Sequence, residues 1–124
     1  MIQIDRIRLT AVAKNQLITL KRKTGINHYN TFCRYAFCIS IGSTGKLPIE
    51  KFNFDGGIDI DWRTFTGGYE ALYLNLLFLW LDQERLERSD IVARQFLNSH
   101  IHRGLSFMSS MSENELNKKL NFTC

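Results

Sequence analysis

This sequence has little proline, few cysteines and no long apolar run. Its 124 residues include one proline and three cysteines. The cysteines are odd in number and show no zinc-ligand spacing, which predicts reduced, structural thiols. The longest apolar run, residues 71–81, is too short to cross a bilayer. The first ten residues lack the apolar core of a signal peptide. These absences predict a cytoplasmic protein without membrane contact.

Acidic residues are nearly absent from the first quarter of the chain. Residues 1–34 contain seven cations and one acid, whereas residues 35–124 contain nine cations and eleven acids. The overall composition, 44% hydrophobic and 23% charged, is that of an ordinary globular domain. All of the surplus positive charge is therefore concentrated near the amino terminus. Such asymmetry indicates a polyanionic partner, either nucleic acid or an anionic surface.

No pattern in the sequence meets the requirements of a catalytic motif. The stretch "GSTGK" at residues 42–46 has Ser40 where a phosphate-binding loop needs glycine and Leu47 where it needs Ser or Thr. Asp55, Asp59 and Asp61 suggest acid–base chemistry or a cation site, but a solvated acidic edge is favoured. No Ser/His/Asp or Cys–His arrangement stands out. We therefore expect a protein that is not an enzyme and holds no cofactor.

The two histidines of "HIHRG" are the best metal candidates. On a strand His100 and His102 would share a face, but on a helix they diverge, and no third ligand is near in sequence. We expect no metal site. Instead, Arg103 and one histidine are predicted to form hydrogen bonds at a helix end that Gly104 terminates.

The amino-terminal half predicts a strand followed by two helices. Residues 2–9 read as a strand, although their alternation is broken. Thr10 and Gly25 are suited to bound a first helix over residues 11–24, and Asn27 to cap a second over 28–41. The first helix has one buried stripe. The second has a wider one and is expected to lie at the centre of the core; its stripe is Tyr29, Phe32, Cys33, Ala36, Phe37 and Ser40.

The second half predicts two further helices. Residues 42–68 read as an irregular connector with a short β-hairpin turning at "DGG". A helix over about 69–85 is apolar nearly all round, so it is internal or lies in a subunit interface, which is favoured. Ser89 caps a fourth helix. We predict one mainly α domain over residues 1–108 and a polar, flexible tail over 109–124.

The basic cluster "LKRKTG" is the candidate functional site. Cations at a helix carboxyl end complement the macrodipole, which explains one or two of them but not the others nearby. The cluster also lies next to the free amides that begin the second helix, where phosphate binds. These features predict a phosphate-backbone surface. Its candidate DNA-binding residues are Lys21, Arg22, Lys23, Lys14, Arg6, Arg8, Arg34, Asn27 and His28.

The order of elements resembles a known DNA-binding plan. A short basic strand, a helix, a tight glycine turn and an apolar second helix resemble the ribbon-helix-helix architecture. In that architecture two strands pair between subunits and the second helix contacts phosphate. The broken alternation of residues 2–9 departs from this pattern and puts base reading through the ribbon in doubt.

The segments "IDRIRLT", "AKNQLITLKRKTGI", "YNTFCRYAFCIS" and "HIHRGLSFM" resemble the DndE family of the bacterial DNA phosphorothioation system. That system replaces a non-bridging phosphate oxygen with sulfur. Tyr29 and Tyr35 depart from the family pattern, which has tryptophan at these positions. The resemblance implies a non-catalytic, double-stranded-DNA-binding subunit, with Lys21, Arg22 and Lys23 in the family's basic segment. Nicked DNA and DNA ends remain open as targets.

The resemblance also implies protein partners, namely an ATPase, a reductase-like enzyme and a cysteine desulfurase. We expect a homo-oligomer as well. The alternative function is an adaptor whose apolar third helix, together with Trp62 and Trp80, docks the ATPase or the reductase-like enzyme. In that case the basic end of the chain would contact an acidic protein surface.

Overall fold

The computed structural model describes residues 2–48 and 50–122. Six helices and a two-stranded antiparallel sheet are described, so the expectation of a mainly helical single domain is confirmed. The elements follow in the order β1 (Arg6–Leu9), α1 (Ala11–Thr24), α2 (Tyr29–Ile41), β2 (Ile58–Asp61), α3 (Trp62–Thr66), α4 (Glu70–Gln83), α5 (Asp90–Ser109) and α6 (Glu113–Phe122).

The helix α5 forms the central contact of the fold, because it packs extensively along α2 and also against α1. The buried face of α2 matches the predicted stripe from Phe32 to Ser40. Gly104 does not end a helix, as the sequence suggested. It lies inside α5 where an added Cβ would come within 1.9 Å of the Ala36 carbonyl oxygen. A glycine is required there because the two helix backbones touch.

The strand β1 pairs with β2, and the predicted hairpin is wrong. Ile7 lies opposite Ile60 and Leu9 opposite Ile58, so the partner of β2 is the distant amino-terminal strand rather than the segment before "DGG". Gly57 makes this connection sterically possible, since a Cβ there would meet the Leu9 carbonyl oxygen at 1.7 Å. The connector therefore contains β2 and α3 instead of a local hairpin.

The outer edge of β1 is covered by polar side chains of α5. Its exposed backbone N–H groups need partners, as any strand edge does. Asp90 accepts the Gln3 N–H, Asn98 accepts the Arg8 N–H and His102 accepts the Thr10 N–H, at 3.2–3.3 Å. These acceptors stand on one face of α5 because their positions differ by multiples of four. Within the described chain, β1 thus has a partner on each edge, which differs from the intersubunit ribbon of the ribbon-helix-helix plan.

The predicted bounds of α1 are confirmed, and those of α2 need one correction. Thr10 caps α1 by accepting the Ala13 N–H, and Gly25 follows it in the left-handed conformation. The N-cap of α2 is His28 rather than Asn27, and its side chain makes no capping hydrogen bond. The single buried stripe predicted for this helix is also confirmed, since Ala13, Leu17 and Leu20 are buried.

The helix α4 is not fully internal: one side is buried and the other is exposed to solvent. Tyr73, Leu77 and Leu81 face the core, while Leu72 and Leu79 remain 53% and 58% exposed. The segment beyond Met108, where the sequence predicts no element, contains α6. Leu116 of this helix is buried against the core. A helix therefore extends the described domain past the boundary at residue 108.

The cysteines differ in state. Cys33 is a buried free thiol, and desolvation raises its pKa to about 12, so it is an unreactive core residue. Cys38 is half-buried on α2 and is not free. Cys124 lies outside the described residues.

Candidate nucleic-acid interface

Three cations occupy the solvent side of α1. Lys21 and Arg22 are exposed and Lys14 is half-buried, and the helix contains no acidic residue. Among the described residues none of the three forms an ion pair, in contrast to other cations of the chain. We refer to Lys14, Lys21 and Arg22 as the α1 cationic face. Its charge is available to an external anion.

The amino end of α2 lies beside this face. The Lys21 ammonium is 5.9 Å from the ring centroid of Tyr29, the first residue of α2. His28 and Asn27 are exposed there, and no acidic side chain occupies the first turn of α2. Unpaired amides and the helix dipole make this end electropositive. The predicted junction of cations and amides is thus present in the fold.

Two of the nine candidate residues are tied to helix ends by hydrogen bonds. The Lys23 ammonium donates to the carbonyl oxygens of Ser109 and Met111, each at 3.3 Å, where α5 gives way to α6. The Arg34 guanidinium donates to the Phe65 carbonyl oxygen at 3.0 Å, at the end of α3. Both cations therefore stabilise carboxyl ends of neighbouring helices.

Arg6 and Arg8 lie on the exposed face of β1. Both form ion pairs with Asp59 of β2, at 3.3 and 3.2 Å. Arg8 also lies over the Phe54 ring, 4.8 Å from its centroid. Asp59 therefore neutralises part of the amino-terminal charge. Asp61, the next acid of β2, caps α3 by accepting the Thr64 N–H at 3.0 Å.

The histidine motif lies in the middle of α5 and joins three elements. The Ser40 hydroxyl is 2.8 Å from His100 Nδ1, and the Arg103 Nε donates to the same hydroxyl at 2.8 Å. Arg103 also donates to the carbonyl oxygens of Ser40 and Gly45. Burial, reinforced by the charge of Arg103, lowers the pKa of His100 to about 3. His100 is therefore neutral at physiological pH.

This arrangement is structural in character. Ser40 and His100 are both completely buried, so their pairing is closed to a substrate. His102 is bonded separately, through Nδ1 to the Asn98 carbonyl oxygen and through Nε2 to the Thr10 N–H. The two histidines therefore have different partners and do not converge on one point. No feature of the sequence indicated that Ser40 links His100 to α2.

A cleft of about 810 Å³ opens between the start of α1, the 45–55 loop and α5. Its charged lining residues are mixed in sign: Lys46, Lys51 and Arg103 against Glu50 and Asp55. The guanidinium of Arg103 is already bonded to Ser40 and Gly45. The cleft thus lacks the excess of free cations that distinguishes the α1 cationic face.

The described helices include none with the length and apolarity required to cross a bilayer.

Comparison with known proteins identifies a similar solved structure. A search of curated proteins finds no match. Among solved structures, the crystal structure of DndE from Escherichia coli B7A, described as involved in DNA phosphorothioation modification, has the same fold. The TM-score is 0.67 at 24% sequence identity, and the match covers 86% of this chain and 96% of that one.

The family comparison extends over nearly the whole domain. The model of the family described as "DNA sulphur modification protein DndE" matches residues 6–116, from the first residue of β1 to the buried Leu116 of α6. The resemblance noted in the sequence is thereby confirmed. This chain belongs to the DndE family of DNA sulphur modification proteins.

Proposed function

We propose that this protein is a non-catalytic DNA-binding subunit of the DNA phosphorothioation machinery. It contacts the phosphate backbone of double-stranded DNA through the α1 cationic face, with Asn27 and His28 at its edge. Chemistry on sulfur and phosphate is then carried out by the partner enzymes of the system. The α1 cationic face carries the proposal, because it combines three cations that form no ion pair within the described part of the chain with an adjacent helix amino end.

The spacing of the face suits a polyanion. Lys14 and Lys21 are separated by two helical turns, roughly 10 Å along the axis. Arg22 and the amides of α2 add positive potential at one end of this line. A small ligand would contact only part of such a surface, whereas a DNA strand presents successive phosphates along it. Four of the nine candidates, Arg6, Arg8, Lys23 and Arg34, already have partners within the protein and are assigned a lesser role.

Binding of this kind is expected to be largely independent of base sequence. Phosphate contacts fix position but carry no sequence information. Base reading through a ribbon would need a strand free to enter the groove. Both edges of β1 have partners, and its outward arginines are paired with Asp59. The protein is therefore proposed to recognise the DNA backbone.

The test is a salt titration of duplex binding by fluorescence anisotropy. If three cations contact phosphates, the slope of log K against log[salt] is about −2.7, and Lys21→Gln reduces its magnitude by about 0.9. Lys51→Gln is the matched control, because Lys51 is exposed but lies outside the face. Two duplexes of unrelated sequence are compared in parallel. A flat salt response, or a steep preference for one sequence, would contradict the proposal.

We also propose a homo-oligomer in which α4 contacts a second copy. One side of α4 and its N-cap follows the three–four spacing of a coiled-coil seam. We call this set of residues the α4 stripe: Tyr69, Leu72, Leu76 and Leu79. Tyr69, Leu72 and Leu79 are each more than half exposed, and no charged residue interrupts residues 71–81. Such a seam is self-complementary when two copies of α4 meet.

The adaptor function remains the second candidate, supported by the same stripe. Trp62 and Trp80 are half-buried in ring contacts with Phe65 and Phe96, so the stripe itself offers the better docking surface. Light scattering on wild type and on Leu79→Glu distinguishes a second copy of the chain from a partner enzyme as the molecule that binds the stripe. A fall from oligomer to monomer favours the second copy. A monomeric wild type favours a partner enzyme as the molecule that binds the α4 stripe. If the variant binds DNA as wild type does, the backbone proposal does not depend on the role of this stripe.

A further inference from the structure

An aliphatic side chain lies at the centre of the α1 cationic face. Ile18 is 48% exposed. On a helix the surface neighbours of a residue stand three and four positions away. For Ile18 these neighbours are Asn15 and three cations, Lys14, Lys21 and Arg22. This exposed aliphatic side chain is therefore surrounded by positive charge.

Ile18 offers nothing favourable to an ordinary phosphate oxygen. An oxygen pressed against it would lose hydrogen bonds to water without replacement, which costs free energy. Sulfur differs, since it is larger, polarisable and a weak hydrogen-bond acceptor. A phosphorothioate retains the negative charge of the linkage and replaces one non-bridging oxygen with sulfur. Its charge suits the lysines and the arginine, and its sulfur suits the isoleucine.

We propose that the α1 cationic face distinguishes phosphorothioate from phosphate linkages, with the sulfur packed on Ile18. This inference rests on the proposed DNA-backbone function and names the modified linkage as its preferred ligand. Lys14 and Lys21 flank Ile18 by one turn on either side, so a linkage held between them is centred over its side chain. The protein then binds the product of the system more tightly than unmodified DNA.

The same helix provides a matched control. Val12 is also aliphatic and is 67% exposed, but the residues three and four positions after it are Asn15 and Gln16. It therefore lacks the surrounding cations. Truncating Val12 removes comparable apolar surface without touching the proposed sulfur contact. Both side chains are exposed, so neither truncation leaves a cavity in the core.

The experiment compares duplexes of one sequence that carry either a single phosphorothioate, with its two diastereomers separated, or phosphate throughout. We expect wild type to bind one diastereomer roughly threefold more tightly, the effect of removing about 25 Å² of weakly hydrated surface from water. Ile18→Ala should abolish this preference, so that the phosphorothioate and phosphate duplexes bind with equal affinity. Ile18→Leu and Val12→Ala should retain it.

The outcomes separate this inference from the proposed function. Equal binding of both DNAs by wild type, with a normal salt slope, overturns the sulfur contact and leaves backbone binding standing. A preference that persists in Ile18→Ala also overturns it. Absence of binding to either DNA contradicts both proposals.

Discussion

The imidazole Nε2 of His102 accepts the backbone N–H of Thr10 at 3.2 Å, so the residue that caps α1 is itself held by α5. Nδ1 of the same ring lies 2.7 Å from the Asn98 carbonyl oxygen, which fixes the neutral form with its hydrogen on Nδ1. Phe52 stacks on the ring with centroids 4.3 Å apart. One side chain thus connects the start of α1, the middle of α5 and the connector.

Replacing His102 with alanine should destabilise the protein without touching the DNA surface. The Thr10 N–H would lose its acceptor and Phe52 its ring contact, which together cost about 2 kcal/mol. Urea unfolding at neutral pH measures the change. His28→Ala is the control, because His28 is exposed and its side chain makes no capping bond. Equal stability of wild type and His102→Ala would contradict this connecting role.

Stability should fall as the pH drops below the ordinary pKa of histidine. The pKa of His100 is lowered to about 3 by burial and by Arg103, so the folded state favours the neutral ring. Because the folded pKa lies below the unfolded value near 6.5, its contribution is complete above pH 6.5. It is then lost by up to about 1.4 kcal/mol for each unit down to pH 3. Burial also lowers the pKa of His102, in the same direction.

Urea unfolding at pH 7.5, 5.5 and 4.5 checks this dependence. His100→Leu serves as the comparison, since it removes the titrating group while keeping an apolar side chain next to Trp80. The variant should be less stable at pH 7.5, where Ser40 loses a partner, and the difference should shrink at pH 4.5. A constant difference across this range would mean that His100 does not titrate between the folded and unfolded states.

Local signals in the sequence predicted the amino-terminal half well. Thr10 and Gly25 bound α1 because capping depends on residues within a few positions of the helix end. The partner of β2 was missed for the opposite reason. Ile58–Asp61 pairs with a strand some fifty residues away, and nothing in its own pattern distinguishes that partner from a neighbouring one.

The candidate DNA-binding residues could be predicted only in part, because contacts between distant parts of the chain are again not visible in the local sequence. Sequence places Lys21, Arg22 and Lys23 together, but it cannot tell which cation reaches a carbonyl of another helix. Lys23 does so through Ser109 and Met111, whereas Lys21 faces solvent beside Tyr29. Gly104 gives a parallel case. Its low helix propensity predicts an end, but close contact with Ala36 places it inside α5.

Gly104→Ala tests how tightly α2 and α5 are packed. The new methyl group would overlap the Ala36 carbonyl, and the helices would have to separate, at a cost of roughly 3 kcal/mol. Thermal and urea unfolding both report this loss. Gly45→Ala is the matched control, since a Cβ there meets nothing within 4 Å, and it should shift stability by less than about 0.5 kcal/mol. A neutral Gly104→Ala would show that the crossing can widen freely.

Lys23 and Lys21 stand two residues apart and should respond to mutation in opposite ways. Lys23→Met removes the charged donor shared by two carbonyl oxygens at the α5–α6 junction, so it should lower the free energy of unfolding by about 1.5 kcal/mol. Lys21→Met should change stability by less than about 0.5 kcal/mol, because its ammonium is exposed and forms no ion pair among the described residues.

The same pair of variants should behave in reverse when DNA binding is measured. Lys21→Met should reduce the magnitude of the salt slope by about 0.9, and Lys23→Met should leave it nearly unchanged at temperatures where the variant is folded. Unfolding and anisotropy measurements on the same two preparations give all four values. If Lys23→Met keeps full stability and instead weakens DNA binding, its hydrogen bonds to Ser109 and Met111 do not hold in solution. The DNA surface would then have to be extended to that corner of the molecule.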